Sequence, residues 1–204
     1  FMGLVGSEMC IRDRSCIELE KTTSKRKSCV VSRSFGKRVE NFQELKEAVA
    51  SYCLNASEKL RSENLVAKAL TVFVRTSPFQ RNFGYYSNSK TIDFPIATNN
   101  SIETVKTAIT ILESIYKNGY RYQKAGVMFS GLSDENSKEN LFASEKDEKI
   151  NKLMRSIDKT NFRFGRRTLS IASAGIRKKW FMKREHSSKI DTADFYCIPT
   201  IKAI

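Results

Sequence analysis

Ser32, Arg33, Ser34, Gly36, Lys37 and Arg38 follow two β-branched residues, Val30 and Val31, inside the run Cys29 to Val39. Valines favour a strand, and hydroxyl, guanidinium and ammonium groups along a strand are donors that hold phosphate oxygens without reading a base. Arg75, Thr76 and Ser77 repeat the pattern after the apolar run Leu70 to Val74, and Arg121, Tyr122 and Lys124 repeat it a third time. Three such groups at strands or strand ends make one phosphate-holding surface if the strands share a sheet. Sequence readout is not implied, since no helix rich in Asn, Gln and Arg is present to enter a major groove.

Residues for bond-breaking chemistry are not assembled in the same way. Metal-dependent nucleotidyl transfer or hydrolysis needs carboxylates converging from rigid strand ends. The adjacent acidic pairs, Asp134-Glu135 and Asp147-Glu148, fall in a polar, acidic segment. The single histidine, His186, has no second ligand or nucleophile near it in sequence, which leaves it a surface or phosphate contact. No G-x-x-x-x-G-K loop is present, so a phosphate cradle of that kind is excluded. The chain as given is expected to catalyse nothing and to carry no cofactor.

The charge balance names the partner class. Lys and Arg number 36 against 22 Asp and Glu, a net charge of +14, in a chain that is 40% hydrophobic. The excess sits in two blocks, with 17 cations against 8 carboxylates in residues 24–132 and 13 against 4 in residues 151–204. A folded protein with such blocks suits a polyanion, because each neutralised phosphate releases condensed counterions. Five cysteines with no C-x-x-C pair suggest neither a disulfide framework nor a zinc site. With no run of 18 apolar residues and no signal-peptide core, the expected location is the cytoplasm, with no membrane partner.

The elements that must position these groups follow from periodicity. After a strand over Cys29 to Val39, Asn41 and Glu44 read as a capping box opening a helix in which Leu45, Val49, Tyr52, Cys53, Ala56 and Leu60 recur at helical spacing. Strands are expected over Ala67 to Thr76 and Gly84 to Phe94, then a second helix capped by Asn100 and Glu103 and stopped by Gly119, then a strand over Tyr122 to Leu132. In that last strand Ala125, Val127 and Phe129 are expected on one face, and Tyr122, Lys124 and Met128 on the other. The order β-α-β-β-α-β predicts an α+β fold, a four-stranded sheet with two helices on one face and the other face open, where Arg33, Arg75 and Lys124 would be presented. Ser133 to Asp147 reads as a linker, followed by a small α/β C-terminal module: an amphipathic helix through Ile150, Leu153, Met154 and Ile157, a short strand over Thr168 to Ala172, and the basic aromatic stretch Ile176 to Glu185. Arg177, Lys178, Lys179, Trp180, Lys183 and Arg184 in that stretch are candidate contacts to DNA or to a partner.

The residues carry a family resemblance. Ser32-Arg33-Ser34-Phe35-Gly36, Val72-Phe73-Val74-Arg75-Thr76-Ser77-Pro78-Phe79 and Tyr120-Arg121-Tyr122-Gln123-Lys124-Ala125-Gly126-Val127 resemble the little-finger domain of the UmuC branch of the Y-family translesion DNA polymerases. Lys179-Trp180-Phe181-Met182-Lys183-Arg184-Glu185 and Asp191-Thr192-Ala193 resemble the C-terminal module peculiar to that branch. The resemblance implies a domain that grips template-primer DNA by its backbone in SOS mutagenesis, with Mg2+ expected only in a catalytic core of palm, fingers and thumb. It makes Ser32, Arg33, Ser34, Gly36, Arg75, Thr76 and Lys124 the DNA contacts. Asn140-Leu141-Phe142 resembles the end of a sliding-clamp-binding peptide, with Lys138 where such motifs usually carry Gln. UmuD-type accessory subunits and the RecA filament are the further partners it implies.

The resemblance also bears on the N-terminus. Leu4 to Arg14 reads as the translation of a transposase-type sequencing adapter, so residues 1–14 are set aside from the fold and residues 15–28 are expected to be a tether from a missing thumb domain. Two other classes share the topology or the linker motif: a freestanding RNA-binding module, offering Phe73 and Phe129 for base stacking, and a clamp-interaction adaptor resting on Leu141 and Phe142.

Overall fold

A computed structural model describes residues 26–79, 84–135, 145–176, 178 and 180–182. The chain forms β1 (Ser28–Val39), α1 (Phe42–Ser62), β2 (Leu65–Thr76), β3 (Ser87–Thr98), α2 (Ser101–Ile115), β4 (Tyr122–Asp134) and α3 (Glu145–Phe164), then a single 3-10 turn at Ala172–Ala174. The four strands make one antiparallel sheet in the order β1-β4-β2-β3. Both α1 and α2 lie on one face of it, as the sequence pattern predicts.

Each helix begins at an asparagine whose side chain satisfies an orphan amide: Asn41 accepts from the Gln43 N–H at 2.8 Å, and Asn100 from the Ile102 N–H at 2.9 Å. The expected reciprocal box does not close at α2. Glu103 instead accepts a 2.8 Å hydrogen bond from the Thr98 hydroxyl, tying the end of β3 to the first turn of the helix. Gly119 does not cap α2 either; the helix ends at Ile115, and Gly119 takes a φ of 86° in the turn that leads into β4. The core lies between helices and sheet. Leu45, Val49, Cys53, Ala56 and Leu60 of α1, with Val105, Ala108, Ile111 and Leu112 of α2, are packed against Leu70, Val72, Val74, Val127 and Phe129. Pro95, which cannot donate to a ladder, sits in β3 at the sheet edge, where the register against β2 shifts.

Beyond β4 the chain returns to the outer side of the helix layer. Arg61 of α1 donates from Nε and Nη2 to the two carboxylate oxygens of Asp158 on α3, at 2.6 and 2.9 Å. Its Nη1 bonds the Asn99 carbonyl at 2.7 Å and Ser101 Oγ at 2.8 Å. One guanidinium thus ties α1, the start of α2 and α3 together, and its charge is held in the bidentate geometry that makes a partly buried pair favourable. Farther along, Ser51 Oγ donates to the Ala174 carbonyl at 3.3 Å, and Gly175 passes so close to the Glu47 side chain that a Cβ would collide with it. Thr168 to Ala172 is not a strand: no ladder reaches it, and its backbone turns instead.

Trp180 completes the return. Its indole meets Phe35 and Tyr52 edge to face, with centroids 6.1 and 5.6 Å apart, and it is 2% exposed. Its carbonyl accepts a 3.2 Å hydrogen bond from Gly36 N–H. Removing so large a buried ring strands an apolar cavity, so Trp180→Ala is expected to cost about 3 kcal/mol of unfolding free energy in denaturant titration. A loss under about 1 kcal/mol would mean that this contact does not hold the tail.

Candidate nucleic-acid interface

The face away from the helices is generated by the register. Four rows cross all four strands: Ser34-Lys124-Arg75-Ser87, Ser32-Gly126-Phe73-Ser89, Val30-Met128-Thr71-Thr91, and Ser28-Ser130-Ala69-Asp93, each in the order β1, β4, β2, β3. Half of these sixteen positions are Ser or Thr, which makes the face a field of short neutral donors rather than an apolar docking patch. Thr71 and Thr91 share a 2.8 Å hydroxyl hydrogen bond across the β2–β3 ladder. The single carboxylate, Asp93, stands in the row farthest from the cations.

Arg75 and Lys124 are direct cross-strand neighbours. Like charges in that position repel, and strand spacing keeps them within roughly 5 Å at Cβ. An anion between them converts the repulsion into attraction. The flanking hydroxyls of Ser34 and Ser87 extend the same row, and Arg75 also lies over the Tyr85 ring at 5.8 Å, which limits the directions its guanidinium explores. The next row is flattened. A Cβ on Gly126 would collide with both the Phe73 ring and Ser32, so the ring lies across the glycine. Phe129, the other aromatic offered for base stacking, is fully buried on the helix side.

The sequence-predicted contacts divide accordingly. Ser32, Ser34, Arg75 and Lys124 come together on the open face. Arg33 pairs opposite Ala125 and shares the side of Cys29 and Val31, so alternation turns it towards the helices. There it borders a cavity of about 60 Å3 with Tyr52 and Trp180. Alternation also carries Phe35 into the core; beyond Ser34 the register then lets four residues of β1 face one of β4, a bulge that leaves Lys37 and Arg38 exposed. Gly36 lies in that bulge, where the Trp180 carbonyl takes its amide.

Tyr122, Thr76 and Ser77 are corrections. Gln123 is an extra residue between the Arg75–Lys124 and Thr76–Tyr122 pairs, and this insertion reverses the alternation of β4. Tyr122 is therefore fully buried on the core side and not beside Lys124; its hydroxyl accepts from the Lys117 N–H at 2.8 Å and donates to the Lys117 carbonyl at 3.0 Å. Thr76 is buried, with its hydroxyl engaged by Tyr86, and buried Ser77 accepts from the Phe79 N–H. Arg121 is ion-paired with Glu40 at 2.6 Å. Trp180 is core, and Lys178 is half-buried, with its pKa lowered by burial and then by Arg167. Asn140, Leu141 and Phe142, and Arg177, Lys179, Lys183 and Arg184, lie outside the described residues.

Comparison with known proteins follows this geometry. Residues 26–141, more than half of the chain, match the impB/mucB/samB family C-terminal domain. The chain belongs to this family. Residues 151–201 match a second family, described as a domain of unknown function (DUF4113). Protein UmuC of Salmonella typhimurium is 38% identical over 177 residues, which cover 86% of this chain and 42% of that protein. Protein MucB of Escherichia coli is 35% identical over 195 residues, 94% of this chain and 46% of that protein. The chain spans less than half the length of these two relatives. A solved complex of the beta-clamp processivity factor and the little finger domain of PolIV aligns at 12% identity over 57% of this chain and 99% of that chain, with a TM-score of 0.41.

Sequence reasoning about this impB/mucB/samB family chain missed most of the hydroxyl field: Ser28, Thr71, Ser87, Ser89, Thr91 and Ser130. A signal was present, since Ser87, Ser89 and Thr91 alternate with period two as a strand face requires. Among the described residues no cluster of three or more His, Cys, Asp or Glu is placed to hold a metal ion.

Gly126→Ala forces Phe73 or Ser32 aside and is expected to lower unfolding free energy by roughly 1–3 kcal/mol, read by denaturant titration; an unchanged midpoint would refute the close packing. Burial pushes the Tyr122 phenol from 10.0 up to about 12, against a smaller opposing effect of its hydrogen bond with Lys117. The fold thus favours the neutral phenol, a contribution complete below pH 10 and lost as pH rises through about 12. Unfolding free energy measured across that window is expected to fall less steeply in Tyr122→Phe than in the parent chain.

Proposed function

We propose that this chain is the DNA-holding, partner-docking part of an error-prone Y-family translesion polymerase that acts in SOS mutagenesis. The observation that carries the reading is the row Ser34-Lys124-Arg75-Ser87: two adjacent cations flanked by hydroxyls, on a face whose nearby rows hold no carboxylate. Such a row neutralises phosphates in a duplex backbone and holds the strand by short hydrogen bonds, without contacting base edges. Membership of the impB/mucB/samB family and the likeness to the little finger of the UmuC branch support the same assignment. Chemistry is left to a catalytic core, and the role of this part is retention of template-primer DNA on a lesion-distorted duplex. The likeness of Asn140-Leu141-Phe142 to a clamp-binding peptide supports tethering to a sliding clamp, and the UmuC likeness extends the partners to UmuD-type subunits and RecA.

The freestanding RNA-binding reading is disfavoured by its aromatics. Phe129 is buried on the helix side, which leaves Phe73 as the one ring of the two on the open face, where modules of that kind stack two or three bases on aromatics.

Affinity for a primer-template duplex is expected to fall steeply with salt. Arg75→Ala with Lys124→Ala should reduce the logarithmic slope by about 2 and weaken binding alike across sequences. A flat salt dependence, or a loss confined to one sequence, would overturn the proposal.

A further inference from the structure

The last helix presents a second surface, on the side of the molecule away from the open sheet face. Residues 149–167 contain seven Lys or Arg and one carboxylate, Asp158, which is turned inward to Arg61. Helix α3 packs through Met154 and Ile157 on that inward side, beside Asp158 and Asn161. Lys152, Arg155, Lys159 and Arg163, spaced by three or four residues, are all exposed and so form one outward stripe. Among the described residues none of the four is in an ion pair.

Aromatic rings flank this stripe at the end of the helix, Phe162 on the Asp158 side and Phe164 on the opposite side. Phe162 is 94% and Phe164 67% exposed, and the Arg163 guanidinium lies 5.3 Å from the Phe164 centroid. A phenylalanine that far into water adds nothing to the core. Exposed rings interleaved with unpaired cations are the combination that binds single-stranded nucleic acid, the rings stacking on bases and the cations following phosphates.

A groove of about 410 Å3 runs beside the stripe, between α3 and the end of α1, with Arg155, Lys159 and Phe162 on its rim. It is also lined by the amides of Asn64, Asn99 and Asn151 and by the carboxylates of Glu58 and Glu135. Amides and carboxylates suit the donor and acceptor edges of unpaired bases.

We propose that the outward face of α3 is a single-stranded nucleic-acid site, with Arg155, Lys159 and Arg163 as phosphate contacts and the rings on its two flanks, Phe162 beside the groove and Phe164 under Arg163, stacking on bases. It is separate from the duplex-holding sheet and does not depend on that assignment. The test uses the full chain and a labelled oligothymidylate of about 12 nucleotides, with a duplex of equal length in parallel. Phe162→Ala with Phe164→Ala is expected to weaken oligothymidylate binding at least about tenfold while leaving duplex binding in place. The corresponding double Trp variant should restore it, because a larger ring stacks as well. Arg155→Glu with Lys159→Glu should abolish oligothymidylate binding, whereas Arg75→Ala with Lys124→Ala should spare it. Circular dichroism checks that each variant is folded. Absence of oligothymidylate binding by the parent chain, or binding insensitive to both the ring and the charge-reversal variants, would overturn the site. Equal binding of polyglutamate, insensitive to loss of the rings, would assign the face to an acidic protein partner instead.

Discussion

Strand β4 is paired on both sides, to β1 and to β2, and its alternation dictates which side chains every other strand shows to each face. Helices α1 and α2 require one face to be apolar, so Ala125, Val127 and Phe129 are committed to the core. Lys124, Gly126 and Met128 are then committed to the opposite face, together with whatever neighbours them on β1, β2 and β3. The pairing of Lys124 with Arg75, on which the electrostatics of the open face depends, is a by-product of burying Val127 against Val72. The bulge at Gln123 ends this regime, which is why Tyr122 sits in the core two residues away from a half-buried cation on the open face.

Among the described residues, those beyond β4 leave the sheet face uncovered because they are held on the helix layer. The four hydrogen bonds of the Arg61 guanidinium draw α3 onto the helix layer, and Trp180 fixes the returning chain against Phe35 and Tyr52. Burying an arginine this way is favourable only when every donor aimed inward finds an oxygen, and here each does. The consequence is functional as well as structural. Cations accumulate on two separate surfaces, the hydroxyl-rich sheet face proposed to hold paired DNA and the outward side of α3 proposed to take unpaired bases.

The physics of the sheet face also sets its selectivity. Hydroxyls and two neighbouring cations can bond phosphates but carry no base-reading pattern, so the proposed DNA contact would tolerate any sequence. The ring of Phe73, lying flat over Gly126, keeps the middle of the face smooth instead of projecting an aromatic wedge. Short side chains that are already ordered by the ladder lose little entropy when a ligand arrives.

Periodicity and caps determined the element order and the one-sided sheet, because these depend on local spacing that any strand or helix must obey, and composition placed the basic excess. The asparagines at both helix starts and the period of α1 were legible for the same reason. Which cations share a face was not. Arg33, Thr76, Ser77 and Tyr122 were separated from Arg75 and Lys124 by strand alternation and by two bulges, and a bulge leaves no mark in composition because one inserted residue looks like any other. Nor did local sequence show that Trp180 belongs to the core of a domain that starts about 150 residues earlier, since the ring is buried by residues distant in sequence. Local chemistry named the donors; only the tertiary pairing of β4 decided which of them share the open face.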